Sequence, residues 1–163
     1  DAPLSTLRVF TTLDGVTKEP VITRCAVRIG RSGAPADNTA RGGIWSQVDP
    51  QTGTICAGVT KKSFGRQQGG KPIRFDTHPD TRKSFVGIKV PWWNEGQALA
   101  LDAHRKLAPE APALGWDIGL SSIRPVFLEV NVWTVAYDYD PPSDAFEPSC
   151  QLILQRLQEM SQR

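Results

Sequence analysis

Gly115-Trp116-Asp117-Ile118-Gly119-Leu120, a short turn at Ser121 to Arg124, then Pro125-Val126-Phe127-Leu128-Glu129-Val130-Asn131 is the stretch on which the rest of the chain is organised. Both runs alternate with period two, which predicts an antiparallel hairpin folding back near Ile123 with Asp117 opposite Glu129. On this reading Ile118, Leu120, Val126, Leu128 and Val130 share an apolar face. Asp117, Gly119, Phe127, Glu129 and Asn131 share the other. Strand residues two apart lie roughly 6 to 7 Å apart on one side, so Glu129 and Asn131 point the same way with Asp117 across the ladder. Two carboxylates that close repel and raise one another's pKa unless a cation sits between them. Hard oxygen donors beside a small Gly119 suit Mg2+ or Mn2+ better than zinc. The competing expectation is an ordinary sheet whose wet face carries solubilising acids.

Further out, the N-terminal part supplies the neighbours. Leu4 to Thr12 reads as a strand closed by Leu13-Asp14-Gly15, and Val21 to Arg31 as a second. Along the second strand Ile22, Arg24, Ala26, Arg28 and Gly30 share a side, which can place Arg8 and Arg28 on one basic sheet face. Guanidinium forks match phosphate oxygens bidentately, so both arginines are candidates to grip a phosphate. Residues 31 to 43 hold Gly33, Pro35, Asp37-Asn38 and Gly42-Gly43 and read as a loop able to offer backbone N–H groups to an anion.

These words resemble a known superfamily. Gly-Trp-Asp-Ile, a turn and Leu-Glu-Val-Asn is similar to the metal-binding hairpin of ATP-grasp enzymes. Thr-Leu-Arg-Val, Val-Arg-Ile-Gly and Asp37-Asn38 with Gly42-Gly43 look like the branch associated with sugar transfer. The resemblance extends loosely from Leu4 to Asn131. It implies an α+β fold, a largely antiparallel sheet backed by helices, similar to the C-terminal ATP-grasp subdomain. It further implies ATP and Mg2+ (or Mn2+) as cofactors, with Asp117, Glu129 and Asn131 holding metal. Arg8 and Arg28 would serve as catalytic and cofactor-binding groups, with Asn38 as a further nucleotide contact. The implied reaction makes an acyl-phosphate from a small-molecule carboxylate, from which an amine or sugar-linked acceptor then displaces phosphate, with polysaccharide biosynthesis as the implied setting. The sequence departs from the family after Asn131, where Val132 to Pro142 is aromatic and acidic in place of a small Asn-Pro-Gly type turn.

The phosphate-holding lysines, glycine-rich flap and adenine hinge of such enzymes have no counterpart between Asp1 and Arg31. The expectation is therefore a C-terminal half that needs an N-terminal partner half and is inactive alone. A second hypothesis is a degenerate binding module that takes a glycan or peptide on the Trp133 to Tyr139 run. A plain Mg2+-dependent hydrolase is a third, for which no nucleophile or base is visible.

Composition narrows the field. With 163 residues, 39% hydrophobic and 22% charged, one domain with one core is expected. A net charge of +2 from scattered Lys and Arg does not imply a nucleic-acid partner. Cys25, Cys56 and Cys150 lack the spacing of a disulfide framework or zinc site, which points to buried thiols and a cytoplasmic setting. No run approaches the roughly 20 apolar residues that span a bilayer. Between these landmarks, Ile44 to Val48 and Thr54 to Val59 read as a hairpin about the Asp49 to Gly53 turn. Thr60 to Lys83 reads as a long loop or flap in which His78 is a minor acid/base candidate and most simply an exposed residue. A helix is expected over Trp93 to Ala108, with His104 a surface or satisfied residue and Trp92 and Trp93 in the core, and another over Ser143 to Met160.

Overall fold

The computed structural model describes residues 4–37, 42–49, 51–59 and 74–132. Asn38, the Trp133 to Tyr139 run and the expected helix over Ser143 to Met160 lie outside the described residues.

Alternating β-branched and aromatic residues build most of the sheet. In chain order the strands are β1 (Thr6–Leu13), β2 (Pro20–Ile29), β3 (Ile44–Val48), β4 (Ile55–Val59), β5 (Arg74–Phe75), β6 (Ala113–Leu120) and β7 (Pro125–Asn131). They form one antiparallel sheet in the order β5-β4-β3-β2-β1-β6-β7. Strand β5 falls inside the region read as a flap; two residues are too few for a periodic signal. One helix among the described residues, α1 (Trp93–Leu107), precedes β6. The α+β class and antiparallel sheet agree with the sequence reading.

The insertion from β2 to α1 leaves β1 paired with both β2 and β6. The strand carrying Arg8 is therefore central, flanked by the strands that carry Arg28 and Asp117.

Helix α1 lies on one side of the sheet. Leu7, Val9, Val27, Ile44, Leu114, Trp116 and Ile118 are buried in the core shared with Trp93 and Ala100. Gly96 permits the close approach, since a Cβ there would stand 2.8 Å from Leu7 Cδ2. At the start of α1, Trp92 adopts a left-handed φ of 56°, unusual for a bulky side chain. Its indole N–H donates to the Ser121 carbonyl at 2.9 Å, tying the helix start to the β6–β7 turn.

Beneath the sheet runs a directional polar chain. The Trp116 indole donates to Thr11 Oγ1 at 2.7 Å, Thr11 meets His104 Nδ1 at 2.7 Å, and His104 Nε2 meets the Ala111 carbonyl at 3.0 Å. Donors and acceptors match when the imidazole is neutral with its proton on Nε2. His104 is thus a fully buried, satisfied core residue.

Burial holds the His104 imidazole below its ordinary pKa, partly opposed by its bond to the Ala111 carbonyl, with the Arg105 charge acting in the same direction as burial. Above about pH 6.5 the side chain is neutral whether folded or unfolded and adds no pH dependence. As pH falls below that value the unfolded chain takes up the proton first, so stability drops by up to about 1.4 kcal/mol per pH unit. Urea unfolding between pH 7.5 and 5 should show this decline, and a His104→Leu variant should lack it. An unchanged slope in that variant would place the pH sensitivity elsewhere.

Candidate functional site

The hairpin pairs Asp117 with Glu129 and Gly115 with Asn131, as its spacing predicts. Between Asp117 and Ile118, however, the register slips, so Ile118 pairs with Phe127, Gly119 with Val126 and Leu120 with Pro125. A bulge inserts one residue and exchanges the two faces beyond it. Phe127 therefore packs on the core side against Trp116, ring centroids 5.6 Å apart. Val126 and Leu128 move to the side of Gly119. This corrects the predicted alternation, in which Phe127 shared a face with Asp117 and Leu128 one with Ile118. Nor does Gly119 open space for a cation: a Cβ there would meet Leu4 Cδ2 at 2.7 Å and Leu128 Cδ1 at 3.3 Å.

On the sheet face away from α1, Arg8 pairs across the ladder with Asp117. Arg28 stands one strand further along, paired with Thr6. The two guanidiniums converge on the one carboxylate. Arg8 Nε bonds Asp117 Oδ1, Arg8 Nη2 donates to Oδ2 at 2.7 Å, and Arg28 Nη2 donates to the same Oδ2 at 2.8 Å. The Asp117 side chain is 1% exposed, those of Arg8 and Arg28 14% and 16%. Arg8 and Arg28 do share a face, as predicted, but it is a charge-paired cluster instead of a bare basic one. The cations that make the Asp117–Glu129 juxtaposition tolerable are these guanidiniums.

Glu129 and Asn131 complete the patch on edge strand β7. Glu129 is exposed and Asn131 half-buried, and the Asn131 amide donates to Glu129 Oε1 at 3.2 Å. The Asn131 carbonyl oxygen and the second Glu129 oxygen, which this bond does not engage, are hard donors of the kind Mg2+ takes. Asp117 contributes less, because three N–H groups occupy most of the roughly four lone-pair positions of its carboxylate. Among the described residues no group of three His, Cys, Asp or Glu is arranged to hold a metal. Donor chemistry at Glu129 and Asn131 fits a hard cation; Asp117 can join them only as a guanidinium moves off it.

Two further residues belong to the cluster and were not singled out from sequence as contacts of the arginines. The Thr6 hydroxyl accepts from Arg28 Nε at 2.9 Å and donates to Asp37 Oδ2. Asp37 also lies 3.5 Å from Arg28 Nη2 through Oδ1. Burial pushes the Asp37 carboxyl above its ordinary range; the Thr6 bond and the Arg28 charge pull it down, and the Asp117 charge raises it again. A threonine one turn of pleat from Arg8 is the signal that could have found this link, but strand threonines are common.

His78 lies outside the cluster and is not the exposed residue expected. It is nearly buried, with Nε2 2.8 Å from the Gly30 carbonyl and Nδ1 accepting from the Asp80 and Thr81 backbones at 3.3 Å. Beside it Arg31 makes a two-point bond to Asp80 at 2.8 and 2.7 Å. That bond holds the Asp80 carboxyl well below the usual carboxylate range. These contacts clamp two loops together and occupy both His78 nitrogens. The Cys25 thiol, buried beside Gln97, is pushed up to about 12 by burial and is inert.

Two arginines thus share one buried carboxylate, with an exposed glutamate and a half-buried asparagine beside them at the edge of an antiparallel sheet. The profile of one family, sugar-transfer associated ATP-grasp, matches residues 2–137. The chain belongs to that family. Searches of curated proteins and of solved structures return no match. Among the described residues no helix is long and apolar enough to cross a membrane.

Proposed function

We propose that this chain forms the metal- and phosphate-handling part of an ATP- and Mg2+-dependent ligase that activates a small-molecule carboxylate as its acyl-phosphate. An amine or sugar-linked acceptor then displaces phosphate, and the family's link to sugar transfer suggests polysaccharide biosynthesis as the setting. The observation carrying the proposal is the convergence of Arg8 and Arg28 on Asp117, directly across from Glu129, in a chain of this family.

In this scheme Glu129 and Asn131 would hold Mg2+, and Asp117 would be a third ligand. The ion would neutralise phosphate charge during transfer. Arg8 and Arg28 supply planar N–H donors to the phosphoryl oxygens, where charge builds up as transfer proceeds. Asp117 keeps both guanidiniums oriented before an anion arrives, which lowers the entropic cost of ordering them. Asn38 is proposed as a nucleotide contact on the strength of the family resemblance alone.

Calorimetric titration of Mg2+ with the non-hydrolysable analogue AMP-PNP into the intact protein tests the reading. A Glu129→Gln change removes one ligand charge at an exposed position and should weaken Mg2+-dependent binding about tenfold or more. The fold should be untouched. Equal affinity in the variant and the natural protein would remove Glu129 from the metal set. Absence of binding to the natural protein would overturn the ATP-grasp activity.

A further inference from the structure

The ligase scheme uses Arg8, Arg28, Asn38, Asp117, Glu129 and Asn131, but it leaves Asp37 without a role. Asp37 is 5% exposed and stands in the glycine-rich segment that follows β2, whereas Thr6 is 3% exposed on β1. A threonine hydroxyl has one proton to give. Because Thr6 accepts from Arg28 Nε, its proton is directed to Asp37 Oδ2, and that bond fixes the hydroxyl's rotation. The same Arg28 Nη2 that bonds Asp117 Oδ2 at 2.8 Å lies 3.5 Å from Asp37 Oδ1. Arg28 is thus gripped along one edge by β1 and the loop and at its tip by two carboxylates.

We infer that Asp37, acting through Thr6, is a positioning residue for Arg28, so that the loop after β2 as well as the sheet sets the orientation this guanidinium offers to an anion. The inference rests on the proposed reading of Arg28 as a phosphate-binding group. Without the Asp37 contact, the Thr6 hydroxyl can turn its proton toward Arg28 Nε, where two donors face one another. Arg28 then keeps Asp117 as its main anchor and swings about it. The loop and the arginine are coupled: an anion that draws Arg28 away loosens Asp37, and displacement of Asp37 misaligns Arg28.

The test uses the intact protein with Thr6→Val, Thr6→Ser and Asp37→Ala. Hydrogen exchange at Arg28 Nε–H, assigned by its absence in Arg28→Lys, is followed by NMR. Thr6→Val and Asp37→Ala should speed that exchange about tenfold, whereas Thr6→Ser, which restores the hydroxyl, should stay close to the natural protein. Affinity for Mg2+ with AMP-PNP should fall about tenfold in the first two variants, and Asp37→Ala should cost nothing more in an Arg28→Lys background. Unchanged exchange in Asp37→Ala, or losses that add in the double variant, would overturn the inference while leaving the ligase reading intact. Altered exchange in a protein that does not bind AMP-PNP would instead overturn the ligase reading, with Asp37 still established as the holder of Arg28.

Discussion

Replacing Asp117 by alanine is expected to lower the free energy of unfolding by about 3–5 kcal/mol, the usual cost of removing one partner of a buried ion pair. The magnitude follows from what remains. Arg8 and Arg28 are held in the sheet with side chains only 14% and 16% exposed, and both lose the carboxylate that compensates them. Asp37 can relieve Arg28 in part, at 3.5 Å, but Arg8 has no such second acid among its described contacts. Asp117→Asn, which keeps the shape and one acceptor oxygen, should fall between. Urea unfolding of the three proteins decides the matter. A loss below about 1 kcal/mol would mean that the arginines escape to water and that the cluster behaves as a surface pair. The same expectation explains why Glu129, not Asp117, is the informative site for metal-binding assays: a protein unfolded by the change cannot report on its ligand.

The second large effect is expected at Trp116, which is fully buried and links the helix side of the sheet to β7. Trp116→Ala should cost about 3–5 kcal/mol, from lost burial and the cavity left beside Phe127 and His104. Trp116→Phe should cost much less, about 1–2 kcal/mol, because the aromatic volume is largely kept and one hydrogen bond to Thr11 is lost. The pair of variants separates packing from polar linkage. Equal losses in both would assign the stability to the Trp116–Thr11–His104 chain, and thermal or urea unfolding reads out the difference. Phe127 should feel the alanine change strongly, since its ring rests on Trp116, and Glu129 lies two residues further along the same edge strand.

Much of the hairpin's significance was already legible in residues 115–131. Asp117 opposite Glu129, with Asn131 two residues on, follows from strand periodicity, and Arg8 and Arg28 on a common face follow from the same rule. The family was legible in those same words. Local periodicity failed at the bulge between Asp117 and Ile118, because an extra residue in one strand leaves no mark on the hydrophobic pattern but reverses every face beyond it. The burial of His78, expected to be exposed, and of His104, expected to be a surface or satisfied residue, was not legible, because it depends on which carbonyls tertiary packing brings to the ring nitrogens.

The sequence by itself determined an antiparallel α+β domain of the sugar-transfer associated ATP-grasp family and the residue types at its charged patch, since period-two alternation and short motifs are local properties of the chain. Only the tertiary structure decided that Asp117 is clasped by Arg8 and Arg28, and that Thr6 and Asp37 lock Arg28 from the other side. The side-chain hydrogen bonds of this cluster join residues from 22 to 109 positions apart, and the sheet order that puts β1 between β2 and β6 brings its arginines and Asp117 together.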